Sequence, residues 1–207
     1  MVFFEAVTIA LSSRPMYKLR SICVYCGSSR GNSPAYEQDA IDLARILAEN
    51  KIRLVNGGGG IGLMGVMADA IMAAGGECTG VIPQGLQEKE VAHKSMTELI
   101  VVPDMHSRKL KMVNLSDAFI ALPGGFGTMD EVFETLTWAQ LHLHLKPIVI
   151  YNPRGYYDAL LAQADHMADQ GFMNAVSRGL LMSTSDLNSL LPMLVSFTPA
   201  SMDKWTY

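Results

Sequence analysis

Charge is scarce in this chain of 207 residues: Asp, Glu, Lys and Arg make up 17%, below the roughly 25% of ordinary soluble domains. Sixteen basic against 20 acidic side chains leave a net charge of −4. The surface as a whole therefore lacks the positive excess that grips nucleic acid, and only a local basic pocket is left open. Cysteine is scarcer still. Cys23, Cys26 and Cys78 are too few for the disulfide framework of a secreted domain and point to a reducing, cytoplasmic home. No apolar run reaches the about 18 residues that a membrane-spanning helix needs. The opening MVFFEAVTIA is apolar, but it carries Glu5 and lacks the basic start of a signal peptide. Internal repeats, charge blocks and low-complexity linkers are missing too. A hydrophobic share of 49% excludes a disordered tail.

What is present is an alternation of short β-rich runs with helical stretches. Strands are expected at Ser21–Cys26, Ile52–Asn56, Thr79–Pro83, Leu99–Pro103, Ala118–Leu122 and Pro147–Tyr151. Several are almost continuously apolar (ICVYC, AFIAL, PIVIY), as in a parallel sheet covered by helices on both faces. Helices are expected near 34–50, 62–75, 105–116, 128–141, 155–169 and 185–196. Ser33-Pro34 reads as an N-cap followed by proline at the first helical position. The β-α-β-α order predicts an α/β fold, a single Rossmann-like, doubly wound parallel sheet flanked by helices. Residues 1–15, which precede Met16, are read as an extension or a mis-chosen start, 16–197 as one Rossmann-like domain and 198–207 as a tail. The 14 methionines are scattered and read as core filler.

In an open parallel sheet, ligands sit beyond the carboxyl ends of the strands. Three loops leave that edge: Gly27-Ser28-Ser29-Arg30-Gly31, Asn56-Gly57-Gly58-Gly59-Gly60-Ile61-Gly62 and Pro123-Gly124-Gly125-Phe126-Gly127-Thr128. The last runs into a helix. Its glycines let backbone N–H groups approach an anion, the helix dipole adds positive potential, and the Thr128 hydroxyl can donate to a phosphate. The Gly-Lys-Ser/Thr ending of a Walker loop is missing. Thr128-Met129-Asp130-Glu131 equally fits a capping box, with Glu131 merely closing the helix start.

Gly57, Gly59 and Gly62 make a formal dinucleotide fingerprint, but it follows the second strand. Glu77 lies before the next strand, whose end reads Ile82-Pro83-Gln84 and supplies no ribose-binding acid. A nicotinamide dehydrogenase is disfavoured. Met105-His106-Ser107-Arg108-Lys109 brings two adjacent cations near an anion site, or else forms a solvated helix face. Cys23-x-x-Cys26 lies inside a strand and reads as two buried thiols. His142-x-His144 has no partner at metal-ligand spacing, so no metal site is expected.

The run from Pro123 to Glu131 resembles the P-G-G-x-G-T-x-x-E motif of the Lonely Guy family, the cytokinin riboside 5′-monophosphate phosphoribohydrolases. Met105–Lys109 resembles the family's Met-His-x-Arg-Lys element. Cys26-Gly27-Ser28-Ser29, Gly62-Leu63-Met64-Gly65 and Leu136-Thr137-Trp138-Ala139-Gln140-Leu141 agree as well, so the resemblance runs from about Leu19 to about Phe197. It implies a cytoplasmic Rossmann-like homodimer without cofactor. The implied reaction cleaves the N-glycosidic bond of a nucleoside 5′-monophosphate, AMP or a cytokinin nucleotide, to free base and ribose 5-phosphate. The family's catalytic pair falls on Arg108 and Glu131. Its nucleotide-binding positions fall on Glu90, Lys109, Gly124, Gly125, Phe126, Gly127, Thr128, Met129 and Asp130, with Ser28, Gly58 and Gly59 as secondary candidates.

Glycosidic cleavage builds positive charge on the ribose, which a carboxylate such as Glu131 stabilises. Arg108 would orient the phosphoribosyl part or steady the departing base. Some relatives carry a lysine decarboxylase label, but nothing in the sequence supports a pyridoxal phosphate Schiff base. The sequence departs from the family at Leu110-Lys111 after the basic pair, at Asn56 where an aromatic is common, and at Asp130 where Glu is common. The alternative reading is a non-catalytic nucleotide or molybdenum-cofactor carrier.

Overall fold

Among the described residues the six expected runs form strands and a seventh joins them, all parallel: β1 (Ser21–Tyr25), β2 (Arg53–Asn56), β3 (Cys78–Pro83), β4 (Glu98–Val102), β5 (Ala118–Ala121), β6 (Ile148–Tyr151) and β7 (Met182–Thr184). The computed structural model describes residues 18–87 and 92–199. The proposed extension 1–15, Glu90 and residues 200–207 of the proposed tail lie outside the described residues.

The strand order is β4-β3-β2-β1-β5-β6-β7. The chain winds outward from β1 to β4, then returns to place β5 on the free side of β1, in register Ile22 to Ala118 and Tyr25 to Ala121. Winding reverses between β1 and β5, so their following loops part toward opposite faces and leave a crevice at the carboxyl edge. That switch point is where a ligand belongs.

Alternation along β1 assigns its side chains to two cores. Ile22, Val24 and Cys26 face one side, where they meet Ala40, Leu43 and Leu47 of α1 (Pro34–Glu49), Leu63, Met67 and Ile71 of α2 (Gly62–Ala73), and Leu190 and Leu194 of α7 (Leu190–Ser196). Cys23 and Tyr25 face the other. There they join Phe119, Met112 of α3 (Met105–Leu115), Val132 of α4 (Phe126–Gln140) and Ala164 of α5 (Asp158–Asp169). Ser33 does cap α1: its Oγ accepts from the Ala35 N–H at 3.3 Å, with Pro34 at the first position.

Two elements escape the sequence pattern, β7 and α6 (Ala175–Gly179). The three residues of β7 are too short for a period, and the strand forms because β6 offers a free edge, pairing Val149 with Met182 and Tyr151 with Thr184. Among the described residues no helix is long and apolar enough to cross a membrane.

Candidate active site

Gly27 is the junction of the three loops. Its N–H donates to the Pro123 carbonyl at 3.1 Å, and its own carbonyl accepts from the Leu63 N–H at 3.0 Å. The loops after β1, β2 and β5 therefore touch at one point. Close approach explains the glycines. Gly62 has φ +64, and a Cβ there would stand 2.5 Å from the Ser29 nitrogen. Asn56, buried at the end of β2, accepts from the Gly58 N–H at 2.9 Å through Oδ1 and holds the turn. The departure from an aromatic thus gains a local hydrogen bond. Gly58 is buried with φ +78, its carbonyl accepts from the His93 N–H at 3.1 Å, and Gly59 bridges to Ala92. Ser28 is exposed at the rim.

Helix α3 delivers the basic pair. Asp104 caps it, its Oδ1 accepting from the Ser107 N–H at 2.8 Å. That bond and its neighbours hold the Asp104 carboxyl below the usual carboxylate range. Arg108, one turn in, is 4% exposed, so the solvated-face reading fails for it. Its guanidinium presses against Gly57, Nη2 nearest: a Cβ there would overlap Nη2 and stand 2.8 Å from Cζ and 3.1 Å from Nε. Lys109 is also buried. Its ammonium is 3.1 Å from Asp130 Oδ2 and 3.1 Å from Glu134 Oε2 of α4. Burial opposes the Lys109 charge, but the two carboxylates outweigh it and raise its pKa.

Helix α4 begins at Phe126, with Gly125 as an N-cap that offers no side-chain bond. The capping-box reading therefore fails: Glu131 sits in the second turn of the helix, out of reach of the first N–H groups. Thr128 is 3% exposed, and a Cβ on Gly124 would overlap its hydroxyl. Gly125 and Gly127 open onto empty space, as a backbone cradle for an anion requires. Tyr156, from the turn after β6, donates its hydroxyl to the Gly124 carbonyl at 2.8 Å. Glu131 is half-buried, and its charge raises the pKa of Cys23 and Cys26 while that of Arg108 lowers it, on top of a larger effect of burial. Both charges thus lie near enough to β1 to be felt by its buried thiols.

Sequence reasoning brought Arg108, Lys109, Glu131 and the three glycine loops to one edge and missed Glu134 and Tyr156. Glu134 carried a weak signal, since it follows Asp130 by one turn. Tyr156 carried none, because β6 places it. Other motifs are structural. Glu77 pairs with Arg53 at 2.6 Å, at the amino ends of β3 and β2, far from any ribose site. Cys23 and Cys26 are free, and burial pushes both thiols up. His144 hydrogen-bonds the Thr135 carbonyl at 3.1 Å, and no group of three or more metal-ligating side chains exists among the described residues.

A family model described as "Possible lysine decarboxylase" matches residues 64–194. Cytokinin riboside 5′-monophosphate phosphoribohydrolase LOG2 of Arabidopsis thaliana is 42% identical over 186 residues, 90% of this chain and 87% of its own length. The chain belongs to the Lonely Guy family. A second Arabidopsis thaliana member, LOG3, is 42% identical over 182 residues, 88% of this chain and 85% of its own. A molybdenum cofactor binding protein from Rippkaea orientalis aligns with TM-score 0.64 at 21% identity, covering 85% of this chain and 95% of that one, a likeness of fold alone. Decarboxylase chemistry does not fit the site. A Schiff-base lysine must become a neutral amine, and Lys109, beside Arg108, is held as an ammonium by two carboxylates.

Proposed function

We propose that this protein hydrolyses the N-glycosidic bond of a nucleoside 5′-monophosphate, AMP or a cytokinin riboside monophosphate, to free base and ribose 5-phosphate. The observation that carries the reading is Glu131: a half-buried carboxylate in the second turn of α4, with no capping duty, at the crevice that holds buried Arg108. A phosphate carrier has little use for an acid beside its anion. The C1′–N bond breaks with its electron pair going to the base, the oxygen of water bonds to C1′, and the proton lost by that water ends on the departed base. Glu131 stabilises the positive charge on the ring in between and takes a proton from the water. Arg108 orients the phosphoribosyl group or steadies the departing base.

Gly124, Gly125, Phe126, Gly127 and Thr128 cradle the 5′-phosphate, so that a remote group supplies binding energy to the reacting centre. Lys109 and Asp130 contribute by locking α3 to α4, and Met129 lines the same turn. Glu90 would bind ribose hydroxyls or base, as its place in the family implies. Phe126 and Phe133 lie seven residues apart on one stripe of α4, 96% and 43% exposed, and Leu110 is exposed on α3. This apolar surface supports assembly as a cytoplasmic homodimer.

The test is incubation with AMP, isopentenyl-AMP, GMP, CMP and UMP, with products separated by chromatography. Base and ribose 5-phosphate should appear in equal amounts. Glu131→Gln should reduce kcat by about 10²-fold or more. Near-normal turnover in that variant removes the carboxylate mechanism.

A further inference from the structure

We propose that Tyr156 is a positioning residue of the 5′-phosphate subsite: its hydroxyl fixes the Gly124–Gly125 peptide so that the Gly125 N–H faces the phosphate. The inference rests on the proposed N-glycosidase reading and extends it to a residue outside the family's motifs.

A trans peptide points its C=O and N–H in opposite directions. The Tyr156 hydroxyl holds the Gly124 carbonyl at 2.8 Å on one side, so the Gly125 N–H is turned to the other, at the start of α4. Two adjacent glycines have no side chain to set this peptide, and both rotate freely. Something outside the loop must set it. Burial does not force the bond, because Tyr156 is 43% exposed and its hydroxyl has water available.

The ring itself is well held. It packs edge-on against Tyr36 at 5.9 Å and Tyr157 at 4.8 Å between centroids. Arg154 stacks over Tyr36 at 4.7 Å and pairs with Asp39 at 2.5 Å. Arg154 keeps a left-handed backbone, φ 56, which a side chain with a Cβ adopts only at a cost. The turn after β6 is thus strained and cross-braced to α1 where it presents Tyr156 to the cradle. Tyr157 differs: its hydroxyl is buried, donates to the Leu122 carbonyl at 2.7 Å and meets the Gly124 N–H, so it holds the peptide before Gly124 and not the one after it.

Tyr156→Phe keeps the ring contacts and deletes one hydroxyl. The Kd for ribose 5-phosphate by calorimetry and the KM for AMP should each rise about five- to tenfold. kcat and the Kd for adenine should stay within about twofold, with no change in melting temperature beyond about 2 °C. Unaltered ribose 5-phosphate binding in Tyr156→Phe, or an equal loss for adenine, overturns the proposal. Ribose 5-phosphate binding without any hydrolysis by the native protein would sink the N-glycosidase reading while calorimetry still decides the role of Tyr156. No binding of ribose 5-phosphate by the native protein overturns both.

Discussion

Gly57→Ala should leave the protein folded and nearly inactive. The backbone of Gly57 is not in the left-handed region, so alanine meets no conformational strain of its own. Its Cβ would instead overlap the Arg108 guanidinium, at 2.8 Å from Cζ and 3.1 Å from Nε. Ordinary carbon contacts lie near 3.5–4.0 Å and Nη2 would overlap the Cβ outright, so the guanidinium must retreat by about 2 Å. It is the end of a flexible side chain, and stability should change by less than about 1 kcal/mol, since alanine also restricts the unfolded chain. Catalysis is less tolerant: a misplacement of about 1 Å at a reacting centre costs about 10²-fold. kcat/KM for AMP should therefore fall by about 10²-fold in Gly57→Ala with a near-native melting curve. Arg108→Ala should cause a similar loss, and the double variant should be no worse than Arg108→Ala alone, because both changes remove one interaction. Activity within about threefold of normal in folded Gly57→Ala, or fully additive losses, would refute the placement of Arg108 as the reason for this glycine.

Two further outcomes separate packing from chemistry. Gly62→Ala combines a left-handed φ of +64 with a Cβ 2.5 Å from the backbone of Ser29, neither of which can give way cheaply, so a loss of about 3 kcal/mol or more is expected in urea unfolding. A loss under about 1 kcal/mol would contradict the close approach of the loops after β1 and β2. Burial holds His144 below the usual histidine range, and its Nδ1 accepts from the Lys146 N–H at 3.2 Å, a bond that protonation breaks. As pH falls below about 6.5 the unfolded chain takes up a proton that the folded one refuses, so stability drops from there down to the depressed folded value. Melting curves between pH 7.5 and 5 should show a shallower decline in His144→Gln, and parallel curves would exclude this contribution.

The α/β class and the order of the long elements follow from periodicity and caps alone. Apolar runs such as AFIAL can only be strands buried on both faces, and Ser33-Pro34 starts α1 by local chemistry that needs no tertiary partner. The glycine loops were legible because they sit at strand ends, whereas Arg108 and Glu131 were singled out by the resemblance to the Lonely Guy motifs. What each does was not legible. Thr128 through Glu131 spells a capping box, and only the start of α4 at Phe126 frees Glu131 from that duty.

Lys109 and Asp130 read as ligands, and packing of α3 on α4 also pairs them with each other, with Glu134 as a second acid on Lys109. Tyr156 became part of the cradle because β6 lies beside β5 in the sheet order and carries the following turn to Gly124. Local interactions over a few residues determine which segments are helix or strand, and those the sequence displays directly. Contacts across 20 to 100 residues depend on the winding of the sheet, and the reversal between β1 and β5 is what turns three separate glycine loops into one site.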